Sequence, residues 1–323
     1  MDISCALPPH LDIVDYAVLA EALGYRRLWA YDSPALYGDV WVALARVAER
    51  TTRIGLGPAV LVPSFRHVLA QASAIATLEQ LAPGRTVVAI GTGFTGRMAL
   101  GKRPLSWSVV EPYIRQLRAL LRGEVVEIEG KAAQMIHPDG FAPPRPLAVP
   151  MVVAANGPKG LEIARRLGDG VMCVGNAQPG FGWCALLAFG TVLEAGEEAD
   201  SPRALQAAGP ALTVMYHGIY ETGGAAAVDG FPGGAEWRAR LELVPENVRH
   251  LAVHEKQLVS ITERDRPLLD GNMIKAMTWT GSADEVRTRV EQAAAAGATE
   301  ILYAPMGPDI RRELQHFAKA CRL

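Results

Sequence analysis

The stretch RIGLGPAVLVPSFRHVLAQASAIATLEQLAPGRTVVAIGTG, residues 53–93, reads as strand, helix, strand. Residues 53–60 form a short apolar run punctuated by glycine and proline. An amphipathic helix follows from Ala72, a glycine stops it, and a second apolar run over 85–91 ends in Gly91-Thr92-Gly93. The same unit recurs in IVDYAVLAEALGYRRLWAY (13–31), VWVALARVAERTTRIGLGPAV (40–60), GLEIARRLGDGVMCVG (160–175) and SADEVRTRVEQAAAAGATEILYAP (282–305). In the first of these Gly24 supplies a left-handed helix stop. In the last, Ser282 and Glu285 form a capping box and Gly297 ends the helix.

Helices alternating with short buried strands imply parallel strands with helices outside them. Strands are expected near 2–7, 27–32, 53–60, 85–91, 149–154, 170–174, 211–217 and 299–304. Eight such strands suit a closed (β/α)8 TIM barrel, with an open doubly wound sheet as the alternative. One domain is expected over 1–323, with insertions at 94–148 after strand 4 and at 218–280 after strand 7. The first insertion holds a helix (109–122) and a hairpin, VVEIEGKAAQMI (125–136). The second opens with GGAAAVDGFPGG and continues as a helix carrying His250 and His254. Long insertions after barrel strands usually build the substrate pocket.

A formal net charge of −2 carries no basic footprint, so nucleic acid is excluded as a partner. Cys5, Cys173, Cys184 and Cys321 include no CxxC pair, and structural disulfides are not expected in the reducing cytosol. The start MDISCALPPH has no signal-peptide pattern, and no run approaches the ~20 apolar residues of a membrane span. The expectation is a cytoplasmic protein acting on a small molecule.

Three features invite a chemical reading from the residues alone. GTGFTG (91–96), with Glu111 at the right distance, mimics a dinucleotide fingerprint. It is rejected, because RMALGKRPLSW makes a poor crossover helix and three βα units precede it. His250 and His254 lie four apart, but the pattern is not HExxH and no third ligand is evident, so no metal is expected. His217 ends the expected seventh strand, where barrel active sites form, and is a candidate proton donor.

The 53–93 stretch resembles the bacterial luciferase-like flavin enzymes, and within them the coenzyme F420-dependent reductases and dehydrogenases. Those share a strand of the form R-I-x-L-G-x-x-V, a basic or His residue near a helix start, then A-x-x-x-A-T-L-x-x-L, G-R and a strand ending G-T-G. The likeness extends to LWAYDS (28–33), VPMVVAANGPKGLEIARRLGDGV (149–171) and GSADEVRTRV (281–290). It implies a hydride-transferring oxidoreductase using F420, or a monooxygenase using FMN, assembled as a homodimer. A non-catalytic flavin-binding barrel is a further alternative, and so is a cofactor-free hydrolase or isomerase.

The resemblance also implies a site. Pro58-Ala59-Val60 is the bulge behind the flat ring, with a cis peptide at Ala59-Val60. Asp32 points toward the ring edge. Gly91, Thr92 and Gly93 offer backbone N–H groups to the cofactor, and Ala155-Asn156-Gly157 opens the phosphate-binding helix, with Asn156 as its cap. Two departures stand out. Asp32-Ser33 replaces an Asp-His of several relatives, and Ala6 and Phe94 occupy places that are acidic in some. The acid–base role then falls to His217, His254 or Asp32.

Overall fold

The structure, a computed structural model, describes all 323 residues. Its main sheet is built from β1 (Asp2–Leu7), β2 (Arg27–Ala30), β3 (Gly55–Pro58), β4 (Val88–Ile90), β7 (Met151–Ala154), β8 (Gly170–Val174), β9 (Cys184–Phe189) and β10 (Glu300–Ala304). A separate antiparallel hairpin, β5 (Val126–Ile128) and β6 (Lys131–Ala133), lies where the sequence predicts one. The eight main strands are all parallel, in the order β3-β2-β1-β10-β9-β8-β7-β4. Bridges Leu56–Thr86 and Leu61–Ile90 join β3 to β4 and close the ring. The expected (β/α)8 barrel is therefore present.

Helices α1 (Ile13–Leu23), α2 (Val40–Arg50) and α3 (Val68–Leu81) follow the first three strands. After β4 come α4 (Phe94–Met98) and α5 (Trp107–Arg122), and α6 (Pro158–Leu167) follows β7. Because a parallel barrel buries both strand faces, the strands are nearly continuous apolar runs. Ala6, Trp29, Ala89, Val152, Met172 and Leu302 fill the inside, while Cys5, Leu28, Ile90, Val153 and Ile301 pack under the helices. At the N-terminal floor, the buried Glu300 carboxylate accepts hydrogen bonds from Trp29 Nε1 (3.1 Å), Trp183 Nε1 (2.6 Å) and Arg27 Nη1 (2.9 Å). A buried charge survives there because it is fully paired.

The seventh strand is not at 211–217. Those residues lie inside α7 (Pro202–Gly223), and the strand is β9, the run CALLAF (184–189). Two physical reasons account for the misreading. The crossover from β8 to β9, residues 175–183, has no helix, so the repeating unit that identifies the other strands is missing there. In addition, the β-branched and aromatic residues of ALTVMYH favour strand locally, but Ala204, Ala207, Ala208, Ala211 and Leu212 form one buried face at helical spacing. The second insertion accordingly starts after β9, not at 218.

That insertion contains α7, α8 (Gly234–Leu241), α9 (Arg249–Val253) and α10 (Gly271–Met277) before α11 (Ala283–Ala295) leads back to β10. Helix α12 (Ile310–Cys321) ends the fold. The insertion has its own core of Tyr216, Trp237, Leu241, Val253, Leu268 and Ile274. The continuous helix expected around His250 and His254 is broken: α9 ends at Val253 and His254 follows it. No helix is long and apolar enough to cross a membrane.

The capping box at α11 forms as expected: Glu285 N donates to Ser282 Oγ (3.3 Å), and Ser282 N donates to Glu285 Oε2 (2.6 Å). Ser282→Ala is expected to destabilise the protein by about 1 kcal/mol, lowering Tm by roughly 2 °C in a thermal melt. An unchanged Tm would show that the cap contributes nothing here.

Candidate active site at the barrel mouth

Small residues line the mouth where β3, β4 and β7 end. The Ala59–Val60 peptide is cis, as the resemblance implies. Ala59, Val60, Thr92 and Ala154 are half-buried, and Ala59, Val60 and Ala154 pack against the barrel-interior cluster from above. A Cβ placed on Gly91 would lie 3.2 Å from both Ala154 Cβ and Val60 Cγ2, so the bed is flat because that position has no side chain. Pro58 and Gly93 beside it are buried. Gly91 N–H donates to Leu61 O (3.0 Å), whereas Thr92 and Gly93 N–H have no backbone acceptor. Two of the three expected donors of the glycine turn are thus free.

Next to this bed, α6 opens toward solvent. Its N-cap is Gly157, not Asn156, and Pro158 occupies the first turn. Asn156 instead clamps the end of β8: its Nδ2 donates to Val174 O (2.5 Å) and its Oδ1 accepts from Val174 N (3.2 Å). A Cβ on Gly157 would meet nothing within 4 Å, whereas one on Gly160 would come within 2.4 Å of the Trp107 ring. One glycine keeps the helix entrance clear and the other lets α5 pack closely. With Ala155 buried behind them, the exposed first-turn N–H groups make an anion cradle at the rim.

Asp32 sits just past β2 and is buried. Arg66 Nη1 donates to both of its oxygens (2.8 and 2.6 Å), and Arg66 Nη2 donates to Asp39 Oδ2 (2.7 Å). Burial pushes the Asp32 carboxyl above its ordinary value, against the pull of Arg66. Asp32 is therefore a buried ion-pair member beside the mouth. The basic residue of the sequence pattern is its partner.

The insertion covers this face. Its placement is fixed by contacts on several sides. A Cβ on Gly307, after β10, would touch Gln206 and Ala207 of α7; Ala211 joins the barrel-interior cluster; Gly218 lies beside Phe94; and Gly101 faces the His250 ring. Helix α7 therefore crosses the mouth from the β10 side to the β4 side.

Between α7 and the later part of the insertion is a buried polar chain. His254 Nε2 lies 2.9 Å from Glu221 Oε1, and its Nδ1 lies 3.0 Å from Gln257 Oε1. His217 Nδ1 lies 3.2 Å from the same Gln257 oxygen, and its Nε2 lies 3.4 Å from Asp265 Oδ1. Asp265 also accepts from Trp237 Nε1 (3.0 Å) and from Thr262 Oγ1 (2.7 Å). Burial alone would raise the Asp265 carboxyl, but His217 and Thr262 together hold it below its ordinary value. His217 is thus on a helix and not at a strand end, yet it shares one network with His254. Both are 2% exposed. Glu221, Gln257 and Asp265 went unrecognised in the sequence because the pairs that build the network are mostly distant: Glu221 meets His254, 33 residues away, Gln257 meets His217, 40 residues away, and Asp265 meets His217, 48 residues away. No cluster of three or more His, Cys, Asp or Glu side chains is placed to hold a metal ion. Glu111, the acidic residue of the false fingerprint, is spent on Arg115 and Arg166 outside the barrel.

The family model for luciferase-like monooxygenases matches residues 8–300. A 5,10-methylenetetrahydromethanopterin reductase of Archaeoglobus fulgidus is 26% identical over 94% of this chain and 92% of its own. An F420-dependent glucose-6-phosphate dehydrogenase of Mycobacterium avium is 34% identical, over 50% of this chain and 52% of its own length. Among solved structures, an F420-dependent secondary alcohol dehydrogenase superposes with a TM-score of 0.70 over 100% of this chain and 99% of its own, at 17% identity.

Proposed function

From the premise that the chain belongs to the luciferase-like monooxygenase family, we propose that it is an oxidoreductase transferring a hydride between coenzyme F420 and a small organic substrate. The observation that carries this is the flat bed of Ala59, Val60, Gly91, Thr92 and Ala154 beside the open start of α6. A planar ring needs the first, and an anionic tail needs the second. The name of the glucose-6-phosphate dehydrogenase relative supports the same cofactor.

When bound, F420 would supply a two-electron hydride donor or acceptor at C5 of its deazaflavin. The remaining tasks fall to this chain. Pro58, Ala59 and Val60 would support the ring from behind, and Thr92 and Gly93 N–H would meet its polar side. Ala155, Asn156 and Gly157 would present the α6 N–H groups to phosphate. The Asp32–Arg66 pair would fix the loops at the ring edge. Proton transfer would run through His254 and its partner Glu221, whose Oε2 has no hydrogen-bond partner in the protein. His217, held between Gln257 and Asp265, would position that pair. A second reading, an FMN-dependent monooxygenase, draws on the family's own name and would use the same bed.

Titrating the purified protein with F420 and with FMN, followed by cofactor absorbance and fluorescence, separates the two. F420 is expected to bind at least tenfold more tightly, and tighter FMN binding would reverse the assignment.

A further inference from the structure

A cavity of about 420 Å³ opens at the mouth on the β10–β1–β2 side. It is walled by Leu7 and Pro8 at the end of β1, Leu36 and Tyr37 after β2, Pro305 and Met306 after β10, and Leu258 and Val259 of the insertion. No Lys, Arg, Asp or Glu lines it. Its polar side chains are the His10 imidazole and the Tyr16 and Tyr37 phenols, and the Tyr37 hydroxyl already donates to Gln257 O (2.7 Å). A phosphate or carboxylate drawn inside would find no Lys or Arg to pair with, and burying an unpaired charge is strongly unfavourable. Four prolines, Pro8, Pro9, Pro305 and Pro308, stiffen the walls.

The wall toward the barrel axis is Leu258 with Met306; both line the cavity, and Met306 belongs to the barrel-interior cluster while Leu258 packs against it. The segment that carries Leu258 is held in a conformation L-residues rarely adopt: Lys256 has φ 56° and Leu258 φ 58°. Such residues persist only where surroundings over-determine them. Here Tyr37 holds Gln257 O, Gly307 N donates to Val259 O (3.2 Å), and the Gln257 side chain is fixed between His217 and His254. A leucine is thus forced into place between the cavity and the mouth, at the cost of backbone strain.

We propose that this cavity receives an uncharged, apolar portion of the substrate, and that Leu258 sets how far it reaches from the reacting end. The proposal rests on the hydride-transfer reading of the mouth. It makes the chain selective for neutral apolar molecules over sugar phosphates.

The test uses the uncharged fluorescent probe N-phenyl-1-naphthylamine and the purified full chain, with F420 affinity measured separately. The probe is expected to bind. Straight-chain alcohols from propanol to nonanol are expected to displace it, gaining about fourfold in affinity per buried methylene. Leu36→Trp, which fills the cavity, is expected to weaken the probe at least tenfold and to change F420 affinity less than twofold. Leu258→Ala is expected to extend the alcohol length at which affinity stops rising. Equal probe affinity in Leu36→Trp, or displacement by glucose 6-phosphate as effective as by nonanol, would overturn the proposal. A protein that bound the probe normally but not F420 would refute the hydride-transfer reading instead, leaving the cavity's apolar preference intact.

Discussion

Gly157→Val is expected to weaken F420 binding by about 10- to 100-fold while shifting Tm by less than about 2 °C. The fold tolerates the change because a Cβ at this position meets nothing within 4 Å. Its φ of −91° and ψ of 159° are also open to any L-residue. Binding does not tolerate it, because the side chain would stand in front of the first-turn N–H groups of α6. A charge-assisted hydrogen bond to phosphate contributes roughly 1.5–3 kcal/mol, which converts to the stated fold-change. Gly160→Val supplies the contrast. A Cβ there would come within 2.4 Å of the Trp107 ring, so the expected result is a large loss of Tm. Calorimetric titration with F420, paired with thermal melts, reads both quantities. A Gly157→Val protein that binds F420 as well as wild type would remove α6 from the cofactor site.

The barrel was legible in the sequence wherever an amphipathic helix, a glycine and an apolar run came in order. Five strands, β2, β3, β4, β8 and β10, follow such a helix, β1 and β7 are apolar runs without one directly ahead, and all seven fall within a few residues of their expected places. The exception, β9, is reached through the helix-free segment 175–183, so its run CALLAF had no helix to announce it. The glycine turn and the opening of α6 were legible because close backbone approach leaves a trace in composition: only glycine and alanine fit where Gly91 faces Ala154 and Val60. Asn156 shows the limit of that kind of reading. Its type and position suit a helix cap, but a partner on β8, 18 residues away, takes the side chain. The polar chain beside α7 was illegible for the same reason. Gln257 is three residues from His254 and Glu221 four from His217, but Glu221 pairs with His254, Gln257 also reaches His217, and Asp265 lies 48 residues from His217, so only the tertiary fold assembles the chain.

That chain sets the second large effect. His254→Gln is expected to lower turnover by about 10²- to 10⁴-fold, with F420 affinity changed less than twofold. The Gln257 oxygen lies between the two Nδ1 atoms, and each Nε2 faces a carboxylate, Glu221 or Asp265. A side-chain amide can turn over to present N–H groups in place of its oxygen, so it can accept from a ring nitrogen or donate to one. The His254–Glu221 pair can therefore pass a proton on while its hydrogen bonds keep partners, which a general acid–base group needs in a buried setting.

His254 is the better donor of the two, because its carboxylate, Glu221, has an oxygen left over, whereas Asp265 is saturated by Trp237 and Thr262. His217 stacks on Trp237 with ring centroids 5.3 Å apart. His217→Gln is accordingly expected to lower Tm more than His254→Gln does and to lower turnover less. Gln257→Leu, which removes the partner both rings share, is expected to lower turnover while leaving F420 binding in place. The measurements are kcat, F420 affinity and Tm for the three variants on one identified substrate. Near-normal turnover in His254→Gln, or a greater loss in His217→Gln than in His254→Gln, would take the proton away from the His254–Glu221 pair.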